Sequence, residues 1–139
     1  MTFVDTWAWV ALADRSDPYH RVATSEHRRR QKQRDQYVTT DWILGETITY
    51  LYDALPSHQA ASFINSLIAA ARVDLYRLVR LTASQFDRAW QMRQKFADKP
   101  DISFVDFTSM VVMQDLDIGE IFSGDQHFVQ VNLGFRLVP

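Results

Sequence analysis

The chain contains no cysteine, which excludes disulfides, thiolate metal sites and cysteine nucleophiles. It also lacks an excess of either charge. Fifteen basic against 17 acidic residues leave a formal net charge of −2, so no global basic field announces a nucleic-acid partner, and any such contact must be a local patch. Long hydrophobic runs are missing too: the most apolar stretch, Phe63 to Val73, is interrupted by Asn65, Ser66 and Arg72 and is too short to span a bilayer. Met1-Thr2-Phe3-Val4-Asp5 has neither the basic segment nor the apolar core of a signal peptide, so a cytoplasmic protein without membrane contact is expected. Lysine is scarce, with only Lys32, Lys95 and Lys99 and none after Lys99. This argues against a phosphoacceptor receiver-like domain, whose acidic cluster needs a late lysine beside the acyl phosphate. Asn-Gly hairpin signals, internal repeats, low-complexity tracts and linkers are absent as well.

What is present fits one domain over residues 1–139, long enough to bury roughly two-thirds of its unfolded surface. Phe3-Val4 reads as a short buried strand, followed by helical signals from Trp7 to Ala13. Asp17 as N-cap and Pro18 at the first helical position predict a long polar helix to about Asp35. Tyr37-Val38-Thr39 reads as a strand. Thr40 or Asp41 caps a helix that carries Glu46 and ends near Pro56. From Ser57, the apolar positions Ala60, Ala61, Phe63, Ile64, Leu67, Ile68 and Ala71 keep the helical period, and Val73 to Val79 is β-like. Thr82-Ala83-Ser84-Gln85 has capping-box form, and Phe86, Ala89, Trp90, Arg93 and Phe96 trace one face of the helix after it. After Lys99-Pro100-Asp101 breaks the chain, Ser103 opens a helix to about Asp115. Ile118 to Phe122 is expected as a strand, Asp125 to Val131 as a short helix, and Phe135 to Val138 as a closing strand. Strands alternating with helices predict an α/β fold: a three-layer α/β/α sandwich around a central, mostly parallel sheet.

Four acids stand where apolar runs break off: Asp5, Glu46, Asp106 and Asp125. Carboxylates beside core-forming segments are costly to desolvate unless something positive compensates them. Singly, Asp5, Asp106 and Asp125 each read as helix caps. Glu46 does not, because it falls about one turn inside an apolar helix. Ligands of open parallel sheets sit beyond the carboxyl ends of the strands, where these acids would meet. If they converge, repulsion keeps some protonated or a divalent cation binds among them.

At these residues the chain resembles PIN-domain proteins, and more closely the VapC-type toxin ribonucleases of toxin–antitoxin systems. The matching stretches are Val4-Asp5-Thr6, Asp17-Pro18-Tyr19-His20, Thr40 to Thr47, Asp101 to Met110, and Ser123-Gly124-Asp125-Gln126-His127-Phe128 with Gly134-Phe135, in order along almost the whole chain. The resemblance implies that Asp5, Glu46, Asp106 and Asp125 bind Mg²⁺ or Mn²⁺ and cut RNA. Asp5 and Asp106 would be the primary ligands, with Glu46 and Asp125 holding a second ion or the waters of the first. Asp101 suits an auxiliary carboxylate and is equally a turn residue. Ser123 suits a hydroxyl that orients metal-bound water. Gly124 departs from the bulkier residue expected there, which would loosen the loop. The resemblance further implies an RNA substrate, a cognate antitoxin seated in an apolar groove near the active site, and a homodimer. A non-catalytic PIN-like module binding RNA or protein is the alternative.

Arg21, Arg28, Arg29, Arg30, Lys32 and Arg34 place six of the fifteen basic residues within fourteen positions. They read as phosphate contacts for RNA, and equally as a solvated helix face or a docking surface for an acidic partner. His20 and His127 read as surface or capping groups. Trp90 reads as core from its periodic neighbours. Trp7 and Trp9, about 200° apart on one helix, cannot both face inward, so one is expected to be exposed or at an interface.

Overall fold

Short runs rich in β-branched and aromatic residues build the sheet in the computed structural model, which describes residues 1–139. They are β1 (Thr2–Val4), β2 (Tyr37–Thr40), β3 (Arg77–Val79), β4 (Glu120–Phe122) and β5 (Arg136–Val138), in the order β3-β2-β1-β4-β5. Every neighbouring pair is parallel, so the sheet is wholly rather than mostly parallel. Seven helices connect them: α1 (Thr6–Ala13), α2 (His20–Lys32), α3 (Asp41–Ala54), α4 (Ser57–Arg72), α5 (Ala83–Lys95), α6 (Phe104–Asp115) and α7 (His127–Gln130).

The path steps outward from β1 to β2 to β3, then crosses back over to β4 and outward the other way to β5. With right-handed crossovers, this reversal sends α1–α4 to one face and α5–α7 to the other, giving the three layers. Helix α1 packs on α2 and α3, and α5 lies along α6. The core runs through β1 and β4 into α6, where every residue from Asp106 to Met113 is buried; Phe3, Ile121 and Phe122 meet Phe107, Met110 and Phe128 in one cluster.

Several boundaries differ from the sequence expectation. The polar helix starts at His20 rather than at Pro18, because the Asp17 carboxylate accepts the Tyr19 N–H at 2.8 Å and closes a turn of its own. It ends at Lys32, short of Asp35: Arg34 turns left-handed (φ 55°) and the Asp35 N–H returns to the Arg30 carbonyl at 3.0 Å. The same closure ends α4 through Asp74 (φ 57°) and α6 through Asp117 (φ 53°). Residues 73–75 are therefore spent closing a helix, and β3 starts at Arg77; likewise β4 starts at Glu120 and not at Ile118. The last helix is a single turn, His127–Gln130, rather than Asp125 to Val131, and β5 starts at Arg136. Trp90, expected in the core, is 54% exposed; Ala89 carries the buried position of its helix.

Candidate active site

The connections leaving β1 and β4 diverge to opposite faces, so a crevice opens at the carboxyl ends of these two neighbouring strands. Phe3 pairs with Ile121 and Val4 with Phe122, and the Asp5 N–H donates to the Phe122 carbonyl at 3.2 Å. Asp5 therefore leaves β1 beside Ser123, Gly124 and Asp125, which leave β4. Asp106 arrives from the first turn of α6 and Glu46 from the second turn of α3. All four acids line one cleft of about 540 Å³, together with the exposed Asp101.

Local geometry separates the capping reading from the convergent one. Asp5 stands at the N-cap of α1, yet its side chain makes no capping hydrogen bond. It accepts instead from the Ser123 hydroxyl at 2.7 Å, across 118 residues of sequence. Asp106 has its backbone N–H bound by Ser103 Oγ at 3.1 Å, half of a capping box, while its carboxylate turns into the cleft. Asp125 does cap locally, accepting the His127 N–H at 2.9 Å. Glu46 makes no capping contact and is half-buried on α3. Ser123 is committed at both ends: its hydroxyl proton goes to Asp5, and its oxygen accepts the Asp125 N–H at 3.0 Å. It ties the β1 loop to the β4 loop instead of standing free to orient water.

Burial pushes the Asp5 carboxyl up to about 7, against the opposing Ser123 hydrogen bond, with the charges of Asp106 and Glu46 adding to the rise. Burial likewise pushes Asp106 up to about 6, helped by Asp125 and Glu46 and opposed by His127. Like charges crowd here with only the His127 imidazole beside them, since no lysine or arginine lines the cleft. Beside Asp5, the buried Thr6 hydroxyl oxygen has no hydrogen-bond partner. Oxygen-rich, negatively charged and partly dehydrated, this donor set fits a hard divalent cation.

His127 is the residue whose role the sequence reading missed. Its Nδ1 lies 3.3 Å from Asp106 Oδ2 and 3.2 Å from Asp125 Oδ1, and two carboxylate acceptors select the tautomer protonated there. Donor atoms of Asp106, Asp125 and His127 all lie within 4.8 Å of one another, a tighter trio than any containing Asp5 or Glu46. Its only sequence signal was the position two residues after Asp125. His20, in contrast, is structural, with Nδ1 2.8 Å from the Ala11 carbonyl oxygen.

The other singled-out residues divide. Arg28, Arg29 and Lys32 line an apolar-free groove along α2 with Arg21, although Arg29 also pairs with Glu26 at 2.6 Å. Arg30 does not join them. It is 5% exposed and holds Glu26 at 2.5 Å, Asp35 at 2.7 Å and Glu120 at 2.8 Å, so it is a buried structural cation. Arg34 is exposed in the turn beyond the helix, outside the groove. Trp9 is buried, and Trp7 is the half-buried partner that faces the cleft. Nor does Gly124 loosen its loop: a Cβ there would lie 2.6 Å from Trp7 Cε2, so the indole occupies the space a bulkier residue would have taken.

No family model matches the sequence. The chain is 34% identical over 131 residues to the 23S rRNA-specific endonuclease VapC20 of Mycobacterium tuberculosis, in both the CDC 1551 / Oshkosh and the ATCC 25618 / H37Rv strains, with 92% of each chain covered. Its fold superposes on the crystal structure of Mycobacterium tuberculosis VapC20, described as a sarcin-ricin loop cleaving toxin, with a TM-score of 0.80 at 29% identity, covering 98% of this chain and 97% of that one. Sharing a third of its residues and its fold along nearly the full length of that toxin, the chain belongs to the VapC-type toxin endoribonucleases of the PIN-domain family.

Proposed function

We propose that this toxin endoribonuclease hydrolyses RNA phosphodiester bonds with a divalent cation, Mg²⁺ or Mn²⁺, held by Asp5, Glu46, Asp106 and Asp125, within one nuclease domain over residues 1–139. The single observation that carries this reading is the meeting of four carboxylates from distant segments in a cleft without lysine or arginine, two of them driven toward neutral pH by burial and mutual charge. An ion bound there supplies Lewis acidity toward the scissile phosphate and acidifies water. Asp5 and Asp106, the more buried pair, are the primary ligands; Asp125 and Glu46 complete the acidic ring on its open side. His127 holds Asp106 and Asp125 in register through Nδ1. Ser123 fixes Asp5 against the β4 loop, and Asp101 on the cleft wall is an auxiliary carboxylate. Arg21, Arg28 and Lys32 lead away from the cleft along α2 and supply the phosphate contacts that the acidic pocket cannot.

The RNA named for the relative, 23S rRNA with its sarcin-ricin loop, is the proposed substrate, reached in the cytoplasm. A cognate antitoxin is the proposed protein partner. A homodimer is proposed on the exposed Phe86 and Trp90, one turn apart on α5; light scattering that gives the mass of a monomer removes that part. The deciding experiment incubates ribosomes or loop RNA with the protein in Mg²⁺ or Mn²⁺, and in EDTA, with Asp5→Asn and Asp106→Asn alongside. Cleavage should vanish in EDTA and fall roughly 100-fold or more in each variant. Equal cleavage in all conditions refutes the mechanism. A wild type that binds RNA without cutting it favours the binding-module reading.

A further inference from the structure

Three aromatic rings from three different segments face the acidic cleft: Trp7 from α1, Tyr19 from the turn before α2, and Tyr50 from α3. We infer that they form a stacking platform for an unpaired base of the RNA whose backbone is cut at the acids. This rests on the ribonuclease reading above and adds to it the residues that hold the substrate's base. Tyr19 is 53% and Tyr50 56% exposed, so both rings offer a face to a ligand entering the cleft. Each ring is tied to a carboxylate by local structure. Tyr50 lies four residues after Glu46 and so shares its helix face. Trp7 follows Asp5 by two residues and is seated against Gly124, next to Asp125. Tyr19 lies 5.2 Å from Trp7 at an interplanar angle of 47°, so the two rings pack against each other at a tilt.

Among the protein's own side chains, charge leaves the rings as the main source of affinity inside the cleft. Six carboxylates line it (Asp5, Asp17, Glu46, Asp101, Asp106 and Asp125) with no lysine or arginine, so a phosphate gains nothing from protein cations there. Aromatic faces attract any base, because stacking is indifferent to charge and tolerant of sequence. The bases of an A-form duplex are already stacked on one another and out of reach. Only a nucleotide splayed from a loop, bulge or end can lie on these rings while its phosphate reaches the acids. The cleft, about 540 Å³, has room for one such nucleotide.

The test uses the full-length protein, a hairpin RNA bearing the sarcin-ricin loop, and the same strand annealed to its complement. Wild type, Tyr19→Leu, Tyr50→Leu, Tyr19→Phe and Tyr50→Phe are compared in steady-state cleavage and in fluorescence anisotropy. Each Leu variant should raise KM and Kd for the hairpin about tenfold with kcat nearly unchanged, and each Phe variant should restore them. Wild type should discriminate against the duplex, and the Leu variants should lose most of that discrimination. Melting temperatures should not move, since both rings are exposed. If the wild type cleaves and the Leu variants keep its KM and Kd, the platform is refuted and the ribonuclease stands. If the wild type binds but does not cleave, while the Leu variants bind more weakly, the platform stands and the ribonuclease falls. A wild type that neither binds nor cleaves overturns both. Leu variants that bind RNA normally but lose the antitoxin mark the rings as a protein-docking surface and also overturn the inference.

Discussion

Gly124 and Trp7 illustrate how single residues set the shape of this site. The glycine needs no unusual backbone angle; what it provides is the missing Cβ, which would stand 2.6 Å from the indole. Trp7 in turn packs 6.5 Å from Phe122, at the end of the strand that delivers Ser123 and Asp125. Gly124→Ala should therefore push the indole toward the cleft or the loop away from it. The expected cost is about 1–3 kcal/mol of stability, as for other overpacked sites, with reduced cleavage because Asp125 moves with the loop. Urea unfolding of Gly124→Ala and of Gly124→Ala/Trp7→Leu checks this, since removing the indole should recover most of the loss. An unchanged single variant would show the loop to be soft. At this scale the sequence was legible for residue types and not for contacts: the glycine was noticed as a departure, but its filling by Trp7 requires two chain segments 117 residues apart to touch.

Among the elements, the turns that close the helices were the least legible feature, for a reason rooted in composition: α4 and α6 end at Arg72 and Asp115 as expected, but the residues that close them read as strand. A helix commonly closes on a left-handed residue, and glycine is its usual sequence signal. This chain has four glycines, and helices α2, α4 and α6 close instead on Arg34, Asp74 and Asp117. The starts of α3 and α5 were clearer, because Thr40 accepts from Ile43 N–H at 3.1 Å, and Thr82 with Gln85 forms the capping box its spacing announced. A left-handed angle costs an ordinary residue roughly 1–2 kcal/mol, partly offset by the entropy glycine loses on folding. Arg34→Gly should accordingly raise stability by about 1 kcal/mol, read as a higher melting temperature. It should also leave the salt dependence of RNA binding unchanged, since Arg34 lies outside the groove on α2. Arg28→Ala and Lys32→Ala, within that groove, should each reduce the slope of log affinity against log salt by nearly one without changing stability. A slope that responds to Arg34 and not to Arg28 would move the RNA path off α2.

For the molecule as a whole, the topology converts local acids into one electrostatic unit, and the metal-free fold carries the consequence. Alternating strands and helices were enough to expect a parallel sheet with acids at its carboxyl edge. The strand order that seats β4 beside β1, and so brings Asp125 to Asp5, follows from packing and was not readable beforehand. Because the folded pKa values of Asp5 (about 7) and Asp106 (about 6) lie above the ordinary 3.8, the native state holds these protons more tightly than the unfolded chain. Their contribution to stability is complete below about pH 4 and is lost as pH rises through 6 and 7. For Asp5 alone the change is at most about 4 kcal/mol. Glu26 works in the opposite sense: hydrogen bonds from Arg29 and Arg30 hold it below its ordinary value, so acidification past about pH 4 removes its support. Metal-free protein should thus be most stable near pH 4–5, and its melting temperature should fall by on the order of 10 °C toward pH 7.5. Mg²⁺ or Mn²⁺ binds the ionised carboxylates, so it should restore the loss at pH 7.5 and do little at pH 5. Asp5→Asn should flatten the metal-free decline and abolish most of the metal-induced rise. Calorimetry in EDTA and in saturating metal, at pH 5 and 7.5, decides the matter. A metal-induced rise of equal size at both pH values would mean that the cation binds elsewhere and that the four acids are not its ligands.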